Sequence, residues 1–331
     1  MFRTYISNIN GHKYLYAYDS IFVTKGKSVQ KKKLLGRPDD LALVSIRKKE
    51  FAEYLKNQEA VERSKYWGGK ETHQEFFKYV SIRSIEELRT SLLRSKQEIG
   101  TIGLDLMEQN FRVDFIYNSN KIEGSKVPFK QVEEQVKRPS ENVSQEVRNT
   151  LKALHYVDSD FFAFTPKSVV ELHKILLGHE PVKQGLRSEE VVVNNLPVAQ
   201  WQSIEEKLKE LFAWYRKNEG KMYPPMFAFD FYYHFERIHP FIDGNGRTGR
   251  LIMNRILKDH RYHPMIVWNK KRVEHMTAFA KRMEGRPEHF YKFMVDQFVK
   301  THEIYLKKLG DAIDAGRLVE KFFAPSEYNF S

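Results

Sequence analysis

The stretch His239-Pro240-Phe241-Ile242-Asp243-Gly244-Asn245-Gly246-Arg247-Thr248-Gly249-Arg250 decides how this chain is read. It lies between two segments of helical periodicity, so it reads as a helix end, a tight turn and a new helix start. From Gly244 to Arg250 it packs three glycines, an asparagine and two arginines into seven residues. Gly244 and Gly246 tolerate positive φ and close approach by a ligand, and the helix that follows offers free N–H groups and its positive dipole end to the same space. That combination is an anion nest. Arg247 and Arg250, three apart, share a helix face and suit a polyphosphate; Thr248 and Gly249 complete the candidate nucleotide-binding set. Asp243 is a candidate ligand for Mg²⁺, which takes one or two carboxylates plus phosphate oxygens. His239 is a candidate general base for an incoming hydroxyl. A P-loop is excluded because no Lys follows the second glycine, and a Rossmann fingerprint because no strand precedes the turn. On the residues alone a Gly-rich helix entry with a core histidine and surface arginines stays open.

Outward from this stretch the pattern is helical. Helices are expected near 73–99, 103–122, 129–136, 143–156, 167–177, 201–217, 225–237, 246–259, 271–283 and 287–308. Two regions differ. The start alternates aromatic and polar residues at Tyr14, Tyr16 and Tyr18, and a turn at Thr24-Lys25-Gly26-Lys27 leads into lysines 31–33, which reads as a small β-hairpin. Val191-Val192-Val193, after Gly185-Leu186-Arg187 and before Asn194-Asn195-Leu196-Pro197, reads as a short hairpin or flap. Trp67-Gly68-Gly69-Lys70 is the strongest helix break and the boundary expected for an N-terminal module.

Composition removes whole classes of chemistry. The 331 residues include no cysteine, so disulfides, thiolate metal sites and thiol catalysis are out. Lys and Arg number 55 against 43 Asp and Glu, a net charge of +12. Residues 1–50 hold 11 Lys/Arg against 4 Asp/Glu, so +7 of the +12 sits there. No run of 18 or more apolar residues occurs, and the expectation is a soluble, cytoplasmic protein that does not engage a membrane.

The central stretch resembles the signature of the Fic domain, HxFx(D/E)GNGRxxR, with every specified position matched by His239, Phe241, Asp243, Gly244, Asn245, Gly246, Arg247 and Arg250. The resemblance runs from about Phe111 to Leu306. It implies a mainly α Fic-type helical bundle with a short β-hairpin flap, to which the small N-terminal β-hairpin module is added. It implies transfer of AMP from ATP to a Ser, Thr or Tyr hydroxyl of a target protein, with His239 as base, Asp243 on Mg²⁺, the Gly244–Gly246 backbone as anion hole, and Asn245, Arg247 and Arg250 on phosphates. Upstream, Ser119-Asn120-Lys121-Ile122-Glu123-Gly124 is similar to the family's inhibitory motif [S/T]xxxE[G/N]. On its own it is an ordinary helix end with Ser119 and Glu123 on one face and Gly124 placed as a C-cap. The resemblance implies that Glu123 pairs with Arg250 and displaces the γ-phosphate. It also implies that Val191, Val192, Val193 and Asn194 hold the target segment by strand addition.

The sequence departs from many Fic AMP transferases where a Tyr and an Asn hold the adenine; those positions carry His275 or Met276 and Met283. The domains expected are an N-terminal module over 1–70, linking helices ending in the inhibitory helix over 71–125, the catalytic domain over 126–310 and a tail over 311–331. Autoinhibition, removal of AMP, self-modification and a homodimer follow as expectations. The alternatives are a nucleic-acid-binding regulator working through residues 1–50, with lysines 31–33 on phosphates and tyrosines as stacking surfaces, and an enzyme with a different nucleotide donor.

Overall fold

The computed structural model describes residues 2–24, 26–69, 81–138, 144–178, 180, 185–193 and 198–323. The chain divides into two compact units after Ser91. The first opens with an antiparallel sheet of β1 (Arg3–Ile9), β2 (His12–Thr24) and β3 (Lys27–Gly36), in that order. The β2–β3 hairpin was expected; β1 was not. Its signal is Asn10-Gly11, both at positive φ, which closes a two-residue loop between Ile9 and His12. Helix α1 (Leu41–Gly68), N-capped by Asp40, covers one face of the sheet, where Ala17, Leu35, Val44 and Phe51 make a small core. The helix ends at the expected glycines. Within this unit Arg63 and Arg89 both bond the buried Glu86 carboxylate, at 2.6 and 2.8 Å, so α1 is tied to the start of α2 (Ile82–Glu98).

The second unit is helical: α3 (Gly100–Ile122), α4 (Phe129–Lys137), α5 (Gln145–Asp158), α6 (Pro166–Leu176), α7 (Ile204–Asn218), α8 (Pro224–Ile238), α9 (Asn245–Asp259), α10 (Arg272–Met283) and α11 (Pro287–Phe323). Its axis is the α8–α9 pair. Helix α8, with five Phe and Tyr rings buried at or below 1% exposure, is buried over most of its length and sits in the middle of the bundle. Its Asp230 is answered by Tyr291 Oη at 2.7 Å and Arg282 at 2.8 Å. Among the described residues no helix is long and apolar enough to cross a membrane.

The expected flap hairpin is absent from residues 185–193, where only Val193 makes an isolated bridge; Asn194 lies outside the described residues. A side chain replaces the ladder. Arg187 donates to the carbonyls of His239 (2.8 Å), Glu189 (2.7 Å) and Ala199, and its own N–H bonds the Pro240 carbonyl. Among the described residues the segment is thereby fixed to the signature turn without a strand ladder.

Candidate functional site

Helix α8 ends in a left-handed residue, His239, at φ 50°. That conformation costs an L residue about 1–2 kcal/mol, and Arg187 on the His239 carbonyl helps to hold it. The turn then runs to Gly244 at φ 78°, the N-cap of α9. Between them Asn245 closes a ring on Phe241, accepting from its N–H at 3.0 Å and donating to its carbonyl at 2.8 Å. The Asn245 amide therefore shapes the turn with its side chain. From below, His173 stacks on Phe241 with ring centroids 3.6 Å apart, and its Nε2–H donates to the Asp243 carbonyl at 2.8 Å. Burial pushes the His173 pKa down to about 4, which keeps the ring neutral.

His239, Asp243, Gly244, Asn245, Gly246 and Arg250 line one cavity with Glu123, Val193, Tyr232, Glu236, Arg272, His275, Met276, Phe279 and Met283. Two halves can be told apart. One is polar, where the first N–H groups of α9 and the Arg250 guanidinium meet; the other is apolar, walled by the methionines and Phe279. Arg247, Thr248 and Gly249 stand behind this cavity. Arg247 bonds Asp243 Oδ1 at 3.2 Å and lies 3.7 Å from Glu146; Thr248 is fully buried; Gly249 is pressed on the Tyr232 ring, which an added Cβ would meet at 2.8 Å.

Burial pushes the His239 imidazole pKa down to about 4, the Arg187 charge acting in the same direction, while the Glu236 carbonyl and the Glu123 and Asp243 carboxylates offset only part of it. The ring is neutral at physiological pH and able to accept a proton. One turn earlier, Glu236 places Oε2 3.9 Å from His239 Nδ1, while its buried Oε1 has no hydrogen-bond partner among the described residues. Burial, then the Glu123 charge, pushes this carboxyl up to about 8. Sequence reasoning passed over Glu236, although the spacing Glu-x-x-His on one helix face was there to see.

Arg250 is 1% exposed and every arm of its fork is engaged. Nε donates to Ser119 Oγ and Nη2 to the Ser119 carbonyl, both at 3.0 Å; Nη2 also meets Glu123 Oε1 at 2.7 Å, and Nη1 reaches Tyr232 Oη at 3.2 Å. Burial opposes this charge, but Tyr232 and Glu123 hold its pKa above the ordinary arginine value. Glu123 is the C-cap of α3 and Gly124 follows at φ 96°, so the last turn of α3 presents Ser119 and Glu123 together. A Cβ on Gly246 would come within 2.2 Å of Glu123 Oε1, so a larger residue there would have to displace the Glu123 carboxylate. Tyr232, accepting from Arg250, has its own proton to give to His275 Nε2 at 3.3 Å. His275 is buried, its pKa pushed down to about 3 by burial and then by Arg250 and Arg272.

For a divalent cation the described residues hold no group of three His, Asp or Glu ligands. Asp243, on the cavity wall with a side chain 34% exposed, fits a Mg²⁺ ion that takes a single carboxylate and completes its shell with water and phosphate oxygens.

Residues 163–257 match the Fic/DOC family. The protein adenylyltransferase Fic of Drosophila ananassae is 26% identical over 248 residues, covering 70% of this chain and 50% of that protein. The one of Nematostella vectensis is 29% identical over 204 residues, covering 58% of this chain and 48% of that protein. The chain thus spans about half the length of the curated relatives it matches. A Fic domain containing signaling protein from Bacteroides thetaiotaomicron superposes with a TM-score of 0.57 at 19% identity, over 70% of this chain and 97% of that one. Fic-1 from C. elegans gives 0.55 at 20% identity, over 78% of this chain and 84% of the other. These likenesses establish the shared fold.

Proposed function

We propose, from the Fic domain that this chain carries over residues 163–257, that the protein transfers AMP from ATP to a Ser, Thr or Tyr hydroxyl of a protein target and is held in check by Glu123. The observation that carries the reading is the geometry: His239 lines one cavity with the first turn of α9 and the Arg250 guanidinium. His239 takes the proton of the target hydroxyl as its oxygen bonds to the α-phosphorus. The bond from that phosphorus to the β-phosphate oxygen breaks, and pyrophosphate leaves. The N–H groups of the first α9 turn stabilise the charge that builds on the α-phosphate oxygens. Asp243 would hold Mg²⁺, which supplies charge neutralisation on the phosphates when bound. His275, Met276, Phe279 and Met283 offer an apolar slot for the base.

The ion pair of Arg250 with Glu123 supports autoinhibition, because the carboxylate occupies the donors a terminal phosphate would use. The same Glu123, beside the nest, is placed to orient a water for removal of AMP from a modified protein. The test is intact mass after incubation with ATP and Mg²⁺. The Glu123→Gly protein is expected to gain AMP about ten-fold or more faster than wild type, the equivalent of one charge-assisted hydrogen bond of about 1.5–3 kcal/mol no longer competing. His239→Ala in that background is expected to abolish the gain. An adduct that persists without His239 would overturn its role as base, and an adduct from GTP in place of ATP would overturn the donor.

A further inference from the structure

The N-terminal sheet sorts its residues by face. Cross-strand pairing aligns Arg3, Tyr18 and Lys32 in one row and Tyr5, Tyr16 and Leu34 in the next, all on the side away from α1. Tyr5 and Tyr16 stack with centroids 5.5 Å apart, Tyr5 and Tyr18 meet edge-on at 5.7 Å, and the Lys32 ammonium sits 4.2 Å above the Tyr16 ring and 4.9 Å above that of Tyr5. On the opposite side, Lys31 pairs with Glu62 and Lys33 with Glu50, both at 2.7 Å, so these two charges are spent on α1. Lys32 and Arg3 are left exposed beside an aromatic platform, within a unit whose first fifty residues carry an excess of seven positive charges.

We infer that this tyrosine face binds a nucleic-acid strand, with bases stacked on Tyr5 and Tyr16 and a phosphate held by Lys32 and Arg3. The argument is complementarity of two kinds. Tyr5 is exposed and Tyr16 and Tyr18 are half-exposed; rings open on one side take unstacked bases of any identity, and cations set among them meet the phosphates that link those bases. A water-facing antiparallel sheet ordinarily shows a polar face, and three tyrosines with two cations are an unusual filling for one. The charge pattern also corrects the lysine cluster as read from sequence: among lysines 31–33 the phosphate contact is assigned to Lys32 alone. Single strands are favoured over duplex, because the bases of a duplex are already stacked on one another.

The test is fluorescence anisotropy of the full-length protein with a fluorescein-labelled 16-nucleotide single strand, as RNA and as DNA, and with the matching duplex, between 50 and 200 mM salt. Binding of the single strands is expected, weakening as salt rises. Tyr5→Ala with Tyr16→Ala is expected to weaken it ten-fold or more, while Tyr5→Phe with Tyr16→Phe keeps it within about two-fold because the rings remain. Lys32→Gln is expected to flatten the logarithmic salt slope by about one. Lys31→Gln with Lys33→Gln, on the covered side, is expected to leave affinity unchanged. No binding to any strand, tighter binding to duplex, or equal losses from the variants of the two faces would each overturn the inference. So would a face that proves to hold a protein, read as Tyr5 and Tyr16 variants that lose a partner but no nucleic acid.

Discussion

The residue that departs most from its ordinary chemistry is Glu236. Its carboxyl is pushed up to about 8, well above the roughly 4.5 of an unfolded glutamate, so the folded state holds its proton between those values while the unfolded state has lost it. Stability contributed by the neutral form is complete below about pH 4.5 and is lost as pH rises toward 8, at up to about 1.4 kcal/mol per pH unit. Glu236→Gln is expected to remove that slope. Thermal melts should show the variant near wild type at pH 5 and more stable than wild type at pH 8; a difference that does not grow with pH would reject the assignment. The same neutral acid beside His239 Nδ1 keeps a second negative charge away from Glu123, so both carboxyls can share one cavity with a single Arg250.

At the scale of elements, two anchors hold the segments that frame the site. The last turn of α3 is caught from three sides, by Arg250 on Ser119, by Arg272 Nε on the Ile122 carbonyl at 2.7 Å, and by Asn269 on Asn118 at 2.7 Å. The segment that carries Val191–Val193 is caught by Arg187. Arg187→Lys puts one ammonium where a planar fork spans three carbonyls, and is expected to cost about 2 kcal/mol in a denaturant titration. It is also expected to lower AMP transfer, because the His239 carbonyl loses its donor; full activity in the variant would show that the turn stands without it. These anchors explain what was and was not legible. The signature turn is local, so its spacing disclosed the nest and the helix that follows. The Ser119–Glu123 partnership with Arg250 bridges more than 120 residues, and only the family resemblance pointed to it. Arg187 acts on backbone carbonyls, which leave no mark in a sequence. Asn10-Gly11 does leave one, a hairpin turn whose first strand precedes the alternation that begins at Tyr14.

Across the whole molecule, buried neutral histidines set the response to acid. His239 and His173 have pKa values near 4, His275 near 3 and His302 near 4, each pushed down first by burial. Each is protonated in the unfolded chain below about 6.5 but stays neutral in the fold until its own lower value is reached, so the unfolded state binds more protons in between. Stability is expected to fall as pH drops from about 6.5 toward 4, by up to about 1.4 kcal/mol per pH unit for each ring, and urea midpoints over that range check it. All four lie in the helical unit. The N-terminal sheet and α1 have no such buried ring, so circular dichroism of the acid state should retain strand signal after the helical unit has lost its near-ultraviolet tyrosine and tryptophan bands.

The ring that Asn245 closes on Phe241 also governs how long the site lasts. Asn-Gly is the sequence in which the following amide nitrogen most readily attacks the side-chain carbonyl, expelling ammonia through a cyclic imide. Here both the oxygen and the nitrogen of that side chain are held by Phe241, 2% of the residue is exposed, and the Gly246 nitrogen is fixed in the first turn of α9. Attack is disfavoured by geometry for as long as the turn is folded. The Asn-Gly dipeptide of the candidate site is thus protected by the same two hydrogen bonds that shape it, and its ageing, unlike that of the exposed Asn10-Gly11, should begin with loss of the fold.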